Sequence, residues 1–260
     1  MSHPVAVVTG ASRGIGKQLC VDLAAAGYDV VCAARSTAAH RSKLPGTVDE
    51  TADAVRARGR RAMAVALDVR DEEAVSKLAK RVYDEWHRCD LLVNNAAVAP
   101  PMPALEDAVK RWRLAVDVNL NGPFYAMYYF CNRMAEAGEG RVVNVSSLVS
   151  QHPEFGRASY TTTKRALEAL TESLAHDLRD RVAVNALRID VPIWSEGFGA
   201  TLSDESAVSF EHPAIASDAV LWIAERPLSH TGRIHDLMQL RADGVVRPRT
   251  SHTAGPDPID

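Results

Sequence analysis

VAVVTGASRGIG, residues 5–16, reads as a short strand that runs without a spacer into a glycine-rich bend. Val5 to Thr9 is dominated by β-branched residues, the composition of a strand buried on both faces. Gly10 permits a sharp strand-to-helix turn, Gly14 lets backbone approach a bound group closely, and Gly16 lets the next helix pack tightly on the sheet. A helix opening at Gly14 aims its free N–H groups and the positive end of its dipole at the bend. A pyrophosphate fits there, and Gly10, Ser12, Arg13, Gly14, Ile15 and Gly16 are the candidates to hold it. A glycine trio alone is a weak signal, and its place between first strand and first helix gives it weight.

Outward from this bend, short apolar runs alternate with longer amphipathic stretches. Tyr28–Ala34, Arg61–Leu67, Leu91–Asn94, Arg141–Val145 and Val182–Leu187 read as further strands. Gly14–Ala26, Asp71–Trp86, Glu106–Met134 and Ser159–Arg179 carry the 3.6-residue period of helices. This alternation predicts an α/β doubly wound parallel sheet, a Rossmann fold, in one domain over residues 1–240, since right-handed crossovers place helices on both faces. Residues 36–47 are longer than an ordinary connection, and an ordered excursion near the site is expected. Residues 192–214 follow the sixth strand without a clean period and read as a mobile substrate loop; residues 241–260 read as a flexible C-terminal tail.

The chain has 260 residues, 47% hydrophobic and 24% charged, which excludes wholesale disorder. Thirty Lys and Arg stand against thirty-three Asp and Glu, with no basic block, so nucleic acid is not an expected partner. The N-terminal residues lack the pattern of a secretory signal, and no apolar run reaches the length of a membrane span. Cys20, Cys32, Cys89 and Cys131 form no C-x-x-C pair and read as buried free thiols, consistent with a cytoplasmic location. The nine histidines show no H-E-x-x-H or H-x-H cluster, so no metal is expected.

At the end of the second strand, a carboxylate selects free ribose hydroxyls and a cation selects a 2′-phosphate. Ala33, Ala34 and Arg35 stand there, with Arg13 in the bend and His40, Arg41 and Lys43 close by, so NADP(H) is favoured over NAD(H). Further on, Tyr160 and Lys164 are four apart and share a helix face. A nearby ammonium, helped by a nicotinamidium, stabilises a phenolate and lowers the tyrosine pKa, which suits proton transfer. Ser147, thirteen residues before Tyr160, offers a hydroxyl to a substrate oxygen. An accidental Y-x-x-x-K is expected roughly 0.14 times in this composition, and the serine requirement cuts that to roughly 0.01.

The set resembles the short-chain dehydrogenase/reductase family over about residues 4–240. The carriers are T-G-A-S-R-G-I-G at 9–16, L-D-V at 67–69, N-N-A at 94–96 and D-V-N at 117–119. V-S-S at 145–147, Y-x-x-x-K at 160–164 and V-N-A at 184–186 complete the order. K-L-P-G-T at 43–47 and R-I-D-V-P at 188–192 further resemble the hydroxysteroid-dehydrogenase-like branch. The resemblance implies a catalytic tetrad of Asn119, Ser147, Tyr160 and Lys164, with Tyr160 as acid or base and Ser147 polarising the carbonyl. Lys164 would lower the tyrosine pKa and bind the nicotinamide ribose, and Asn119 would hold a water leading to solvent. Asp68 and Val69 would meet the adenine, Asn94 and Ala96 would line the cofactor floor, and Val191, Ile193 and Ser195 would reach the carboxamide. Two departures stand out: Ala97 replaces the glycine of N-N-A-G, and Ile189-Asp190 replaces Pro-Gly after the sixth strand.

The implied reaction is hydride transfer between NADP(H) and a carbonyl or secondary alcohol. An isomerase or dehydratase using the same tyrosine is a rival, as is a non-catalytic NADP(H)-binding sensor or scaffold. Trp194, Phe198, Leu202 and Phe210, with Pro100, Pro101 and Met102, suggest a greasy pocket or ordinary loop packing. The helices at 106–134 and 159–179 resemble the family's dimerising interface, so a homodimer or homotetramer is expected.

Overall fold

Along β1 (Val5–Thr9) the side chains divide by parity although every residue is buried. Ala6 and Val8 pack with Leu19, Cys20 and Leu23 on one face, whereas Val5 and Val7 pack with Leu78, Val82 and Phe130 on the other. A strand covered on both sides must do this, because successive side chains point to opposite faces. The computed structural model describes residues 3–99, 105–106, 109–196 and 210–247.

The other strands are β2 (Asp29–Ala34), β3 (Ala62–Ala66), β4 (Leu91–Asn94), β5 (Arg141–Ser147), β6 (Ala183–Ile189) and β7 (Ile234–Asp236). They form one parallel sheet in the order β3-β2-β1-β4-β5-β6-β7. The helices among the described residues are α1 (Gly14–Ala25), α2 (Val48–Ala57), α3 (Glu72–Trp86), α4 (Val109–Val116), α5 (Gly122–Ala137), α6 (Ala158–Asp177), α7 (Ala214–Ala224) and α8 (Leu237–Ala242). Helices α1, α2, α7 and α8 cover one face, and α3, α5 and α6 cover the other. This is the doubly wound fold that the strand–helix alternation predicts. Strand order reverses between β1 and β4, and the crevice at their carboxyl ends is where such sheets bind ligands.

Three local features depart from the expected elements. The single helix expected over Glu106–Met134 is α4 and α5 joined by a π-helical turn at Asp117–Asn121, and Asp107 and Ala108 lie outside the described residues. Pro123 accounts for the interruption, because it has no N–H to give to the Asn119 carbonyl four residues back. Strand β7 adds a seventh member to the sheet. Packed structure also continues past residue 240: α8 runs to Ala242 and Val246 is buried against the core. Residues 248–260 of the expected tail lie outside the described residues. All four cysteines are buried and free, and no helix among the described residues is long and apolar enough to cross a membrane.

Candidate active site

Gly10 lies at φ +70° where β1 ends, and a Cβ there would stand 2.8 Å from the Ala96 Cα on the far side of the crevice. A Cβ on Gly16 would meet the Gly10 carbonyl oxygen at 2.3 Å, so the bend closes only around hydrogen atoms. Thr9 and Asn95 lock it from below. The Thr9 hydroxyl accepts from the N–H groups of Asn95 (3.1 Å) and Ala96 (3.2 Å), while Asn95 Nδ2 donates to the carbonyls of Thr9 (3.0 Å) and Gly10 (3.3 Å). Neither residue is among the sequence candidates; their signal was the first letter of T-G-A-S and the second of N-N-A. Ser12 is buried and Ile15 packs on the core, so both shape the bend.

An anion already sits at the mouth of α1. The Gly14 N–H donates to Glu196 Oε2 at 2.9 Å, and Ser195 lies so close that a Cβ on Gly14 would be 2.8 Å from its own. Glu196 is 182 residues away in sequence, and it was not a candidate. Its carboxylate satisfies an open N–H of the helix start, the charge preference that also suits a phosphate. The residues fit a dinucleotide on two further counts: a strand-to-helix bend too tight for any side chain at Gly10 or Gly16, and Asn94 Oδ1, buried without a partner among the described residues.

The adenosine side is less uniform than the sequence suggests. Arg13 donates to the carbonyls of Leu44 (3.1 Å), Pro45 (2.7 Å) and Gly46 (3.3 Å) and to Ser42 Oγ (2.6 Å), so its guanidinium pins the 36–47 segment. Arg35 is exposed and has no hydrogen bond or ion pair among the described residues. Arg41 is paired with Glu50 at 3.0 Å. Asp68 is gripped by Arg70 through Nε and Nη2, which together with the Arg70 N–H holds its carboxyl below the usual range. Val69 is buried against Gly122.

On the other side of the crevice, α6 lays a polar stripe along β5. Lys164 Nζ donates to the Val145 carbonyl at 2.6 Å and lies 5.6 Å from the Tyr160 ring centre. Burial pulls the Lys164 amine down to about 8, against a smaller upward pull from Glu168. The Tyr160 phenol goes the other way. Burial raises its pKa, and a hydrogen bond with Ser147 and the charge of Arg157 offset only part of the rise. Burial is thus the largest influence on this phenol. Ser147, Tyr160 and Lys164 are together, at the carboxyl end of β5.

Asn119, in the π-helical turn, accepts from the Val98 N–H (2.8 Å) and donates to the Val98 carbonyl (2.8 Å) and Thr163 Oγ1 (3.1 Å). Its side chain thereby ties the β4 loop to α6 beside Lys164. Asn94 Nδ2 donates to Asn144 Oδ1 at 2.9 Å, and Asn144 Nδ2 to Thr171 Oγ1 at 2.9 Å. After β6, Val191 packs on the core and buried Ile193 bridges to Glu211. Trp194 stands edge-on to Phe210 with ring centres 5.3 Å apart. Phe198, Leu202, Pro100, Pro101 and Met102 lie outside the described residues, as do 197–209 of the expected loop. Asp190, in place of the usual glycine, accepts from the Met238 N–H at 3.0 Å and caps the start of α8.

A family model described as short chain dehydrogenase matches residues 4–190. Hydroxysteroid dehydrogenase-like protein 2 of Bos taurus is 29% identical over 241 residues, covering 92% of this chain and 57% of that protein. The chain thus spans about half the length of the curated relatives of this name. The 3-oxoacyl-(acyl-carrier-protein) reductase of Synechocystis sp. is 35% identical over 190 residues, 72% of this chain and 73% of its own length. Among solved structures, a "putative NAD(P) dependent gluconate 5-dehydrogenase" from Beutenbergia cavernae with bound NADP superposes with a TM-score of 0.80 at 28% identity, covering 91% of this chain and 96% of its own. NAD+-bound xylitol dehydrogenase, at 23% identity and TM-score 0.78 over 90% of this chain and 96% of its own, shares the fold. Since the matched span takes in the glycine bend, the Ser147 strand end and the Tyr160–Lys164 helix in one run, the chain belongs to the short-chain dehydrogenase family.

Proposed function

We propose that the protein is an NADP(H)-dependent oxidoreductase acting on a carbonyl or secondary-alcohol substrate, with Tyr160 as its acid and base. The observation that carries this reading is the convergence of Ser147, Tyr160 and Lys164 in a chain whose first strand ends in a glycine bend too tight for side chains. The backbone of Gly10–Gly16 would hold the diphosphate, Arg35 the 2′-phosphate, Asp68 and Val69 the adenine, and Lys164 the nicotinamide ribose. Ser195, which lies against Gly14, and Val191 and Ile193 before it would meet the carboxamide. When bound, the nicotinamide supplies or accepts the hydride.

The chain's own residues then handle the proton. In the reducing direction the Tyr160 phenol gives its proton to the substrate oxygen while the Ser147 hydroxyl donates a hydrogen bond to that oxygen. The resulting phenolate is stabilised by the Lys164 ammonium on the same helix face and regains its proton through Lys164 from solvent. Asn119 would hold the water of this path; Pro123, four residues on, has no N–H to give to its carbonyl. The Trp194–Phe210 pair supports an apolar ketone or alcohol as substrate. Trp112, Phe124 and Tyr128, exposed on α4 and α5, support a homo-oligomer through that face. Four buried free thiols suit a cytoplasmic protein.

The test is consumption of NADPH with a panel of apolar and polar carbonyls. Wild type is expected to turn over at least one class. Tyr160→Phe should lose about a thousandfold in kcat while NADPH affinity stays within about twofold. Turnover retained in Tyr160→Phe would reject the assignment, and NADPH binding without turnover on any carbonyl would leave a sensor.

A further inference from the structure

Behind Ser147 lies a buried charged cluster that the proton path above does not use. The strand register sets Ser146, Arg188 and Asp236 side by side across β5, β6 and β7. Neighbours in register point to one face of a sheet, and here Glu168 of α6 meets the row from above. Arg188 donates to Glu168 Oε1 (3.0 Å), Glu168 Oε2 (2.9 Å) and Asp236 Oδ1 (2.7 Å). Glu168 Oε1 also accepts from Ser146 Oγ at 2.6 Å and from Ser150 Oγ at 2.7 Å. Arg188 and Glu168 are buried at 4% and 8% exposure. Taking such ions out of water costs several kcal/mol each, and apolar side chains of similar size commonly do as well or better for stability. Core stability alone does not account for the cluster.

Its position does. Ser146 immediately precedes Ser147, and Ser150 ends the 3-10 turn Leu148–Ser150 that follows it. One carboxylate oxygen therefore grips the chain on both sides of the carbonyl-binding hydroxyl. The same helix carries Tyr160, Lys164 and Glu168 at successive steps of four. Three consecutive β5 residues are tied to it: Asn144 to Thr171, Val145 to Lys164 and Ser146 to Glu168. Gln151, its amide turned so that both groups are satisfied, adds an oxygen that accepts from Arg188 Nη1 at 2.9 Å and Nη2 at 3.0 Å.

We propose that Glu168, locked by Arg188, is a positioning residue that holds the Ser147 turn against α6, so that the Ser147 and Tyr160 hydroxyls converge on one substrate oxygen. The proposal rests on the oxidoreductase reading for what is positioned, and on the ties to Ser146 and Ser150 for how. Misplacement of a reacting group by an ångström can cost about a hundredfold, so a clamp of this kind has measurable consequences.

The test uses the full chain in two arms. Glu168→Leu/Arg188→Met removes both ions together and leaves no lone charge between them; Ser150→Ala removes one tie. Both are made alone and on a Ser147→Ala background. In the kinetic arm, Glu168→Leu/Arg188→Met is expected to lower kcat about tenfold and Ser150→Ala about threefold, with NADPH affinity within about twofold. On the Ser147→Ala background neither should cause further loss, because residues acting through one group are non-additive. In the second arm, hydrogen exchange of the free protein, the amides of 147–151 should exchange about tenfold faster in Glu168→Leu/Arg188→Met. Fully additive kinetic losses would reduce Glu168 to a structural role, and unchanged exchange would overturn the clamp whatever the activity. Accelerated exchange in a chain whose wild type reduces no carbonyl would instead overturn the oxidoreductase reading.

Discussion

The two sides of the β1/β4 crevice are made in opposite ways. On the β1 side, binding groups are backbone N–H donors, and the sequence contributes mainly by leaving atoms out at Gly10, Gly14 and Gly16. On the β5 side, the arrangement is made of side chains: Ser147, Tyr160 and Lys164 meet at the strand's carboxyl end, and Asn144, Ser146, Glu168 and Arg188 tie strand to helix. A site defined by missing atoms should fail when an atom is added. A site defined by hydrogen bonds should keep its shape and lose its chemistry when a partner is removed. The difference explains why one half reads as shape and the other as charge.

The sharpest way to break this contrast is Gly16→Ala. The new methyl would start 2.3 Å from the Gly10 carbonyl oxygen, a backbone atom that cannot swing aside. Overpacking of this kind costs about 1–3 kcal/mol, and we expect NADPH binding about a hundredfold weaker, measured by fluorescence titration, with a lowered Tm. Wild-type binding in Gly16→Ala would mean the bend can open and the contrast is false. Arg35→Ala comes next. Losing charge-assisted hydrogen bonds to a 2′-phosphate should shrink the NADPH-over-NADH preference by about 10- to 100-fold. Arg13 is tied to loop carbonyls, so Arg13→Ala should act mainly by loosening residues 36–47. An Arg35→Ala ratio equal to wild type would place cofactor choice elsewhere.

What the sequence disclosed follows the same division. The glycine bend, the strand alternation and the Tyr160–Lys164 spacing are local, and each lies within a short window of residues. Helix α7 was harder to see because residues from Ala214 to Ala224 are mostly buried, so no polar face marks the 3.6-residue period. Strand β7, three residues reading Ile-His-Asp, is too short and polar to announce itself. The hold of Glu196 on Gly14, of Glu168 on Arg188 and of Asp190 on Met238 joins residues 182, 20 and 48 positions apart. No periodicity or propensity encodes such pairs; they exist only once the sheet order brings the chain ends together. The burial that raises the Tyr160 phenol is likewise a property of the fold that no short window of sequence states.

Glu196 offers a finer test of the β1 side. Its carboxylate takes the Gly14 N–H that a phosphate oxygen would need. A negative side chain at a helix start is worth about 0.3–1 kcal/mol, so Glu196→Gln should bind NADPH about two- to fivefold more tightly, read by titration at low salt. The gain should shrink as salt rises. Weaker binding in Glu196→Gln would show that the carboxylate assists the dinucleotide instead of competing with it.

The smallest expected effect belongs to the polar half and concerns stability. His230 and His235 stack with ring centres 5.0 Å apart and Nε2 atoms at 3.0 Å, and Trp222 lies edge-on to both. Burial, then the neighbouring His230 and Arg233, pull His235 down to about 4, while Asp236 works weakly the other way. The unfolded chain takes up its proton near pH 6.5, and the folded chain refuses it until about pH 4. The stability due to a neutral His235 is therefore fully present above pH 6.5 and drains away as pH falls toward 4. His235→Phe keeps the stacked ring and removes the titration. Between pH 7 and pH 5 its Tm should fall by about 2 °C less than that of wild type. Equal falls in the two proteins would mean that protons enter this end of the sheet without cost, and that its polar groups are less tightly paired than the geometry requires.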